Sequence, residues 1–222
     1  DVFDNVYQNY DFMNDIMSFG THRLWKQEFV NSIEIKPEHS IIDMSSGTGD
    51  ISNLILKKNS LQKVLRIEPN YNMLNHKISK FNKFKEVRHV CGYAETIPLK
   101  NCSYDSYIIS FGLRNVTKID NVLNEAFRVL KKGGGFYCLE FYKVNKPIIS
   151  EFYKFYSKTI PFFGKLFNKD SSPYEYLIKS IEDFHSQNEI KKKLIKSGFA
   201  NVNIKNIFGG IASIHYAWKL ND

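Results

Sequence analysis

The chain has 222 residues, of which 43% are hydrophobic and 15% aromatic, a composition that argues against global disorder and suits one α/β domain. Its three scattered cysteines include no CxxC pair, so they indicate neither a disulfide framework nor a zinc site and favour a reducing compartment. The formal charge of +8 is spread along the chain, which is typical of a solvated surface but also fits attraction to an anionic membrane or nucleic acid. No apolar run approaches the roughly 20 residues that span a bilayer.

Hydrophobic spacing predicts helices and strands in alternation. Residues 1–39 read as a helical, aromatic segment in which Thr21 caps a helix. That helix carries the apolar side chains Leu24, Trp25, Phe29 and Val30. Strands are predicted at Ser40–Asp43, Lys63–Glu68, Glu86–Cys91, Ser106–Phe111, Phe136–Phe141, Asn201–Ile207 and Ile211–Lys219. Further helices are predicted at Asp50–Lys58, Asn72–Phe81, Asn121–Leu130 and Ser186–Gly198.

Two helix ends carry specific signals. Ser186 and Glu189 form a capping box at the start of the last helix. Lys131 and Lys132 suit the C-terminal dipole of the helix before them, and the glycine run 133–135 is predicted to end that helix.

This alternation predicts an open, mostly parallel, doubly wound sheet, in which a ligand binds at the carboxyl ends of the strands. Residues 143–185 break the alternation with a long aromatic segment that is predicted to fold over the crevice as a helical cap. We therefore divide a single domain into four parts. They are a helical substrate-side segment (1–39), a cofactor-binding core (40–142), the aromatic cap (143–185), and the last helix with a strand pair (186–222).

The stretch Ser40–Asp50, SIIDMSSGTGD, places a turn of small residues between the first strand and its helix. Gly47 and Gly49 let a ligand approach the backbone, and the free N–H groups of the helix start face it. A dinucleotide site would show G-x-G-x-x-G, but no third glycine follows. Instead Asp43 ends the first strand, and Glu68 ends the second, where a carboxylate can accept both ribose hydroxyls. The pattern resembles the S-adenosylmethionine site of Rossmann-like methyltransferases.

Three further stretches narrow the resemblance, namely Tyr10–Trp25 (YDFMNDIMSFGTHRLW), Ser110–Asn115 (SFGLRN) and Arg128–Phe141 (RVLKKGGGFYCLEF). With DMSSGTGD they resemble the ubiquinone/menaquinone biosynthesis C-methyltransferase family over essentially the whole chain. The first motif, Y-D-x-M-N followed by S-x-x-x-H-x-x-W, is met in full. The resemblance implies an α/β, Rossmann-like class I methyltransferase with a seven-stranded, mostly parallel sheet, an antiparallel last strand and a helical cap insertion.

The family methylates a ring carbon of a polyprenylated benzoquinol or naphthoquinol with S-adenosylmethionine as donor, and no metal is needed. By resemblance, the residues that line the cofactor are Thr48, Glu68, Tyr93, Ala94 and Ser110. Glu68 replaces the usual aspartate, and Tyr93 stands where Asn or Asp is common, so only the backbone role of Tyr93 carries over. The pair Ser45-Ser46 is more polar than the family pattern and is a candidate to bond the amino acid end of the cofactor.

Methyl transfer is an in-line attack on an activated sulfonium, so the enzyme positions and desolvates the reactants. The ring carbon becomes nucleophilic when a quinol hydroxyl loses its proton, and a group must take that proton or stabilise the phenolate. By resemblance, Arg114 and Asn115 hold and polarise the quinol oxygen or a water, and Tyr10 bonds the substrate or closes the pocket. The alternatives are a structural salt bridge for Arg114, a helix cap for Asn115 and aromatic packing for Tyr10.

Two other side chains and one segment have two interpretations each. His22 is a candidate base or a structural histidine beside Trp25, and Glu140 lies near the site or bonds the N-terminal segment. The segment Ile148–Phe167 interleaves aromatic residues with lysines, which indicates a groove for the isoprenoid tail and a surface that meets a membrane. Its alternative is packing on the sheet.

The sequence thus predicts an enzyme that C-methylates a polyprenyl benzoquinol in ubiquinone biosynthesis. The alternatives are a demethylmenaquinol methyltransferase, a methyltransferase for another small molecule or RNA, and a non-catalytic scaffold in a quinone biosynthetic complex. Expected partners are the quinol, a membrane surface, other quinone-biosynthesis proteins and a second copy of the chain, with no nucleic acid. A start at Asp1 and the high lysine content favour the matrix side of the mitochondrial inner membrane, with a bacterial cytoplasm as the alternative.

Overall fold

A computed structural model describes Ser18 and residues 20–143 and 172–221 of the chain. The predictions for Tyr10 and for the cap segment Ile148–Phe167 lie outside these residues. Within the described ranges, no helix is both long enough and apolar enough to cross a membrane.

The described chain alternates strands and helices much as predicted. The strands are β1 Ser40–Met44, β2 Lys63–Glu68, β3 Val87–Cys91, β4 Tyr104–Ser110, β5 Leu130–Phe141, β6 Ala200–Ile207 and β7 Ala212–Trp218. The α-helices are α1 His22–Ser32, α2 Asp50–Lys58, α3 Tyr71–Asn75, α4 Ile119–Val129, α5 Ser172–Glu182 and α6 Gln187–Lys196. Short 3₁₀ turns lie at Ile78–Phe81, Leu113–Asn115 and Phe208–Gly210.

One seven-stranded sheet organises these elements in the order β3-β2-β1-β4-β5-β7-β6. β1 pairs in parallel with β2 and β4, whereas β7 runs antiparallel to both β5 and β6. The predicted α/β fold, with its mostly parallel sheet and antiparallel last strand, is confirmed. Because the strand order reverses between β1 and β4, a crevice opens at the carboxyl ends of these two strands.

Apolar clusters cover both faces of the sheet, because successive side chains of a strand point to opposite faces. Ile41 of β1 joins the cluster that contains Phe29 of α1 and Ile55 of α2. Its neighbour Ile42 joins the cluster that contains Val122 of α4. The central strands are therefore buried on both sides, and their carboxyl ends are held in place from above and below.

Two helix predictions are corrected by the structure. Thr21 is the N-cap residue of α1, but its side chain makes no capping hydrogen bond; Leu24 of this helix is 70% exposed, while Trp25, Phe29 and Val30 are buried. The helix predicted for Asn72–Phe81 is split into α3 and a 3₁₀ turn by Lys77, whose φ of +55° is left-handed. This break sets Phe81 against Arg66, with the guanidinium carbon 4.5 Å from the ring centroid.

The end of α4 also differs from its prediction. Leu130 is extended and fully buried, and it begins β5 by pairing with Tyr104. Because Ser106 then pairs with Gly135, residues 131–134 bulge out of the strand. The glycine run therefore lies in β5 and does not end the helix, and Lys131 binds Asp105 at 2.9 Å, away from the helix dipole.

The end of β1 is tied to the start of α2 by Asp43. Its carboxylate is only 1% exposed and accepts hydrogen bonds from the backbone N–H and the hydroxyl of Ser52 in the first turn of α2. Gly49, at the N-cap, has no side chain to do this, so Asp43 caps the helix from the neighbouring strand. Burial raises the pKa of Asp43 to about 6, although the Ser52 hydrogen bonds and the Arg66 charge oppose the shift.

This pKa gives the stability of the protein a defined pH dependence. The folded protein binds a proton at Asp43 more tightly than the unfolded chain, whose Asp pKa is about 3.9. The contribution of Asp43 to the free energy of unfolding is therefore largest below about pH 4 and falls as the pH rises through 6. We expect Asp43→Asn, which keeps an oxygen for Ser52, to gain stability relative to wild type between pH 4 and 7. The gain should reach up to about 3 kcal/mol in urea unfolding.

Asp105 provides a control, because its pKa is shifted in the direction opposite to that of Asp43. Burial raises the pKa of Asp105, but hydrogen bonds from Lys131 and Ser40 outweigh burial and lower it overall. Asp105→Asn should therefore lose stability relative to wild type as the pH rises from 3 to 6. If the difference in unfolding free energy between Asp43→Asn and wild type stays constant across pH 4–7, the raised pKa of Asp43 is contradicted.

Candidate active site

The chain leaves β1 through a sharp turn at residues 45–49. Gly47 and Gly49 have φ values of +53° and +88°, a left-handed region that favours glycine. A Cβ on Gly49 would lie 2.6 Å from the Phe81 ring and 2.8 Å from the Arg66 guanidinium. Gly49 therefore allows the turn to pack closely against Phe81 and Arg66, on the side away from the crevice, and it does not line the crevice.

Arg66 supports this turn from below, and the sequence analysis missed it. It lies in β2 with no exposed surface, and its Nη2 donates to the Gly47 carbonyl oxygen at 2.8 Å, while Nη1 lies 3.2 Å from Nδ1 of His89. Burial lowers the pKa of Arg66, although the charges of Asp43 and Glu68 oppose this shift. The sequence feature that could have identified Arg66 is its positive charge in the middle of the otherwise apolar strand VLRIE.

Two adjoining cavities form the crevice, and both are lined by Ser45, Gly47 and Phe111. The first, which we call the turn cavity, is also lined by Lys26, Asp43, Ser46, Thr48, Asp50, Ile51 and Ser110. The second, the Glu68 cavity, has a volume of about 260 Å³. Its other lining residues include Glu68, Asn70, Met73, Tyr93, Ala94, Asn115 and Tyr176.

The crevice brings together the predicted cofactor residues apart from Gly49. Asp43, Gly47, Thr48 and Ser110 line the turn cavity, and Gly47 also lines the Glu68 cavity with Glu68, Tyr93 and Ala94. Tyr93 is 68% exposed and Ala94 is buried. The hydroxyl oxygens of Ser46 and Ser110 are buried and have no hydrogen-bond partner among the described residues. These two orphaned polar atoms fit a cavity that receives a polar ligand group.

Glu68 holds the turn with both carboxylate oxygens. Oε2 accepts from the N–H of Gly47 at 2.8 Å, and Oε1 accepts from the N–H of Asn70 at 3.0 Å. Burial raises the pKa of Glu68, and these two hydrogen bonds oppose the shift. Each oxygen retains a second acceptor site, so the two hydroxyls of a ribose fit this carboxylate.

Arg114 lies in the 3₁₀ turn after β4 and is only 4% exposed. Its Nη1 donates to Oε1 of Glu140 at 2.6 Å and to the carbonyl oxygen of Phe111 at 2.8 Å, and its Nε donates to the hydroxyl of Ser180 at 3.2 Å. The structural salt bridge that the sequence left open is therefore present, and Glu140 is its partner. Arg114 lines a third cavity with Ser180 and does not line the Glu68 cavity.

Asn115 is the member of the pair that lines the Glu68 cavity. Its Nδ2 donates to the carbonyl oxygen of Phe111 at 3.3 Å, and its Oδ1 accepts from the hydroxyl of Tyr176 at 3.2 Å. It does not cap α4, whose N-cap is Lys118. Tyr176 and Ser180 were missed by the sequence analysis, although their spacing of i and i+4 places them on one face of α5.

His22 is buried on α1, and its backbone N–H donates to the hydroxyl of Ser18 at 3.0 Å. It lines neither cavity of the crevice, which favours its structural interpretation over that of a base. Across the described ranges, no group of three or more His, Cys, Asp or Glu side chains is arranged to hold a metal ion.

Solved structures share this fold. A methyltransferase of Thermotoga maritima, described as S-adenosylmethionine-dependent and a possible histamine N-methyltransferase, matches with a TM-score of 0.68 and 17% identity over 98% of each chain. The phosphoethanolamine N-methyltransferase 2 of Haemonchus contortus, in complex with S-adenosylhomocysteine and phosphomonomethylethanolamine, matches with a TM-score of 0.69 and 13% identity, over all of this chain and 60% of the other. The fold is that of S-adenosylmethionine-dependent methyltransferases.

Curated relatives are similar over nearly the whole chain. The ubiquinone/menaquinone biosynthesis C-methyltransferase UbiE of Rickettsia bellii is 43% identical over 227 residues, and that of Rickettsia felis is 44% identical over 228. Each alignment covers 99% of this chain and 91% of the relative. The model of the ubiE/COQ5 methyltransferase family matches residues 1–219. The predicted enzyme class, a methyltransferase, is confirmed, and the chain belongs to the ubiE/COQ5 methyltransferase family.

Proposed function

We propose that the chain transfers a methyl group from S-adenosylmethionine to a ring carbon of a polyprenyl benzoquinol in ubiquinone biosynthesis. The observation that carries this proposal is the similarity, over 99% of the chain, to relatives named for C-methylation in ubiquinone and menaquinone biosynthesis. Because those names cover both pathways, methylation of a demethylmenaquinol is the second candidate.

The donor site follows from the crevice. Glu68 receives the ribose hydroxyls, and Tyr93 and Ala94 border the same cavity, where the adenine lies. The turn cavity then takes the amino acid end of the donor, beside Asp43, Gly47, Thr48 and Ser110. When bound, the sulfonium supplies an activated methyl group, so the protein has to place the ring carbon in line and keep water out.

The acceptor enters on the side of Asn115, which the proposal places against the quinol oxygen. Its Nδ2 is a neutral donor that can stabilise the phenolate as the ring carbon attacks the methyl group. The S–CH₃ bond then breaks to release S-adenosylhomocysteine, and the attacked ring carbon loses its proton to water as the ring becomes aromatic again. The guanidinium of Arg114 is fixed by Glu140 and Ser180, and its cavity adjoins that of Asn115 through Val116 and Thr117. We assign Arg114 to polarising the quinol oxygen or a bound water, and Tyr10 to closing the pocket.

We further propose that the enzyme binds a membrane surface to obtain the quinol, contacts other quinone-biosynthesis proteins and forms a homodimer. The Rickettsia relatives support the alternative compartment, a bacterial cytoplasm. The matrix side of the mitochondrial inner membrane stays a prediction.

The acceptor is tested by methyl transfer in vitro to a prenylated benzoquinol and to a prenylated demethylnaphthoquinol of equal tail length, each under reducing conditions. We expect labelled methyl from S-adenosylmethionine to appear on the benzoquinol ring, with a kcat/KM at least about tenfold above that for the naphthoquinol. Preference for the naphthoquinol would make the second candidate the correct one. Donor binding without transfer to either ring would contradict the proposal.

The ribose assignment is tested at Glu68. Glu68→Ala should weaken S-adenosylhomocysteine binding by about 10- to 100-fold, because hydrogen bonds to a charged acceptor contribute about 1.5–3 kcal/mol. Glu68→Asp, which keeps the carboxylate, should retain most of the affinity. The discriminating measurement is calorimetry with the 2′-deoxyribose analogue, for which wild type and Glu68→Ala should differ much less. An unchanged dissociation constant in Glu68→Ala would refute the role.

The role of Arg114 needs a variant that respects its salt bridge, because removing one partner of a buried pair costs about 3–5 kcal/mol. Arg114→Lys keeps a cation beside Glu140 but loses the planar fork, and we expect kcat to fall about 100-fold with unchanged donor affinity. The matched control, Glu140→Gln, perturbs the same pair while keeping the guanidinium, and its kcat should fall less than about tenfold. Equal losses in the two variants would mean that the pair is only structural.

A further inference from the structure

Lys26 lies at a position of α1 where the helical spacing of the buried residues predicts an apolar side chain. The buried side chains of this helix are His22, Trp25, Lys26, Phe29 and Val30, at the spacing of a single inward stripe. Lys26 is 6% exposed, although lysine is among the residues least often buried. A charge at such a position is costly unless it is paired, and local conflicts of this kind concentrate at functional sites.

The ammonium group of Lys26 points out of the apolar cluster toward the glycine turn. Its Nζ donates to Oδ2 of Asp50 at 2.7 Å, and Lys26 lines the turn cavity together with Asp50. An ammonium has three N–H donors, and among the described residues Asp50 takes one of them. Lys26 therefore brings a buried positive charge to the wall of the cavity that adjoins the Glu68 site.

The rest of the turn cavity is suited to a small group that carries both charges. The hydroxyls of Ser46 and Ser110 are buried there without a partner among the described residues. Asp43 and Asp50 add two carboxylates to the same wall, so the site is mixed in sign and fits a zwitterion better than a simple anion. The cavity has a volume of about 30 Å³, which suits the compact polar end of a ligand.

We propose that Lys26 binds the α-carboxylate of the donor, with the Ser46 and Ser110 hydroxyls completing the subsite for its amino acid end. The inference rests on the proposed function only in taking S-adenosylmethionine as the donor. The ion pair with Asp50 holds the ammonium at the cavity wall and joins α1 to α2.

The test compares S-adenosylmethionine with decarboxylated S-adenosylmethionine, which keeps the sulfonium and the amine but lacks the carboxylate. Binding of each to the full chain is measured by calorimetry without quinol. We expect wild type to prefer the carboxylated ligand by about 10- to 100-fold, and Lys26→Met to reduce this preference to about threefold or less. Lys26→Met should bind the decarboxylated ligand about as well as wild type does.

Two further variants complete the comparison. Lys26→Arg keeps the charge and should keep the preference. The matched control is Lys36→Met, which removes another lysine that is paired with a carboxylate at 2.7 Å but is half exposed on the surface, and it should leave the preference unchanged.

The outcomes separate cleanly. Equal binding of the two ligands by wild type overturns the proposal without any variant, so it stays testable even if Lys26→Met does not fold. A Lys26→Met protein that loses both ligands to the same extent shows that Lys26 acts only by joining α1 to α2, and this also overturns the proposal. A chain that shows the expected preference but methylates no quinol would contradict the proposed acceptor and leave the role of Lys26 standing.

Discussion

The backbone of Gly47 is held on both sides of its Cα, at its N–H and at its carbonyl oxygen, and the geometry of the crevice depends on this constraint. Glu68 accepts its N–H, and Arg66, which precedes Glu68 by two positions in β2, donates to its carbonyl oxygen. Both side chains are buried, so each hydrogen bond is formed away from water, where charge-assisted bonds are strong. A turn of small residues with left-handed glycines has little rigidity of its own. The neighbouring strand supplies the rigidity through one carboxylate and one guanidinium.

This arrangement requires that the buried charges balance. Arg66 lies among Asp43, Glu68 and Asp50, whose charges raise its pKa against the effect of burial. For Asp43 the two effects have the opposite signs, because burial raises the pKa of its carboxyl and the charge of Arg66 lowers it. The cap of α2, the turn and the carboxylate of Glu68 are therefore one electrostatic unit. A change at any of the three is expected to reach the others, since coupled charges in a low dielectric are not independent.

The sequence predicted the fold well because local pattern and global topology agree along most of the chain. The strands of the core are apolar runs bounded by turn residues, and their order follows from the alternation with helices. The errors occur where tertiary contacts decide the local structure. Lys77 breaks a helix so that Phe81 reaches Arg66, and Leu130 leaves α4 because β4 offers it a pairing partner. Periodicity along one segment contains no information about such partners.

The lining of the crevice was predictable to the same degree and for the same reason. Residues at strand ends, such as Glu68 and Ser110, follow from topology, whereas Arg66, Lys26 and Tyr176 reach the site from a strand interior and two helix faces. Two of these three, Arg66 and Lys26, are cations at positions where the pattern calls for an apolar residue. A charged residue at a position where the pattern predicts an apolar one therefore indicates this crevice more strongly than the glycine motif does. The glycine motif predicts only a turn, whereas the two cations show which side chains contact that turn.

The salt bridge between Arg114 and Glu140 limits what Arg114 can contribute to catalysis. A buried guanidinium at 2.6 Å from a carboxylate forms a nearly neutral pair, whose field at a phenolate some distance away is that of a dipole and decays faster than that of a charge. The orientation of the pair then matters more than the presence of the cation. Ser180 and the Phe111 carbonyl fix that orientation, and Tyr176 fixes Asn115 from the next turn of α5. Since α5 lies within the predicted cap, residues 143–185, this one helix positions both Arg114 and Asn115.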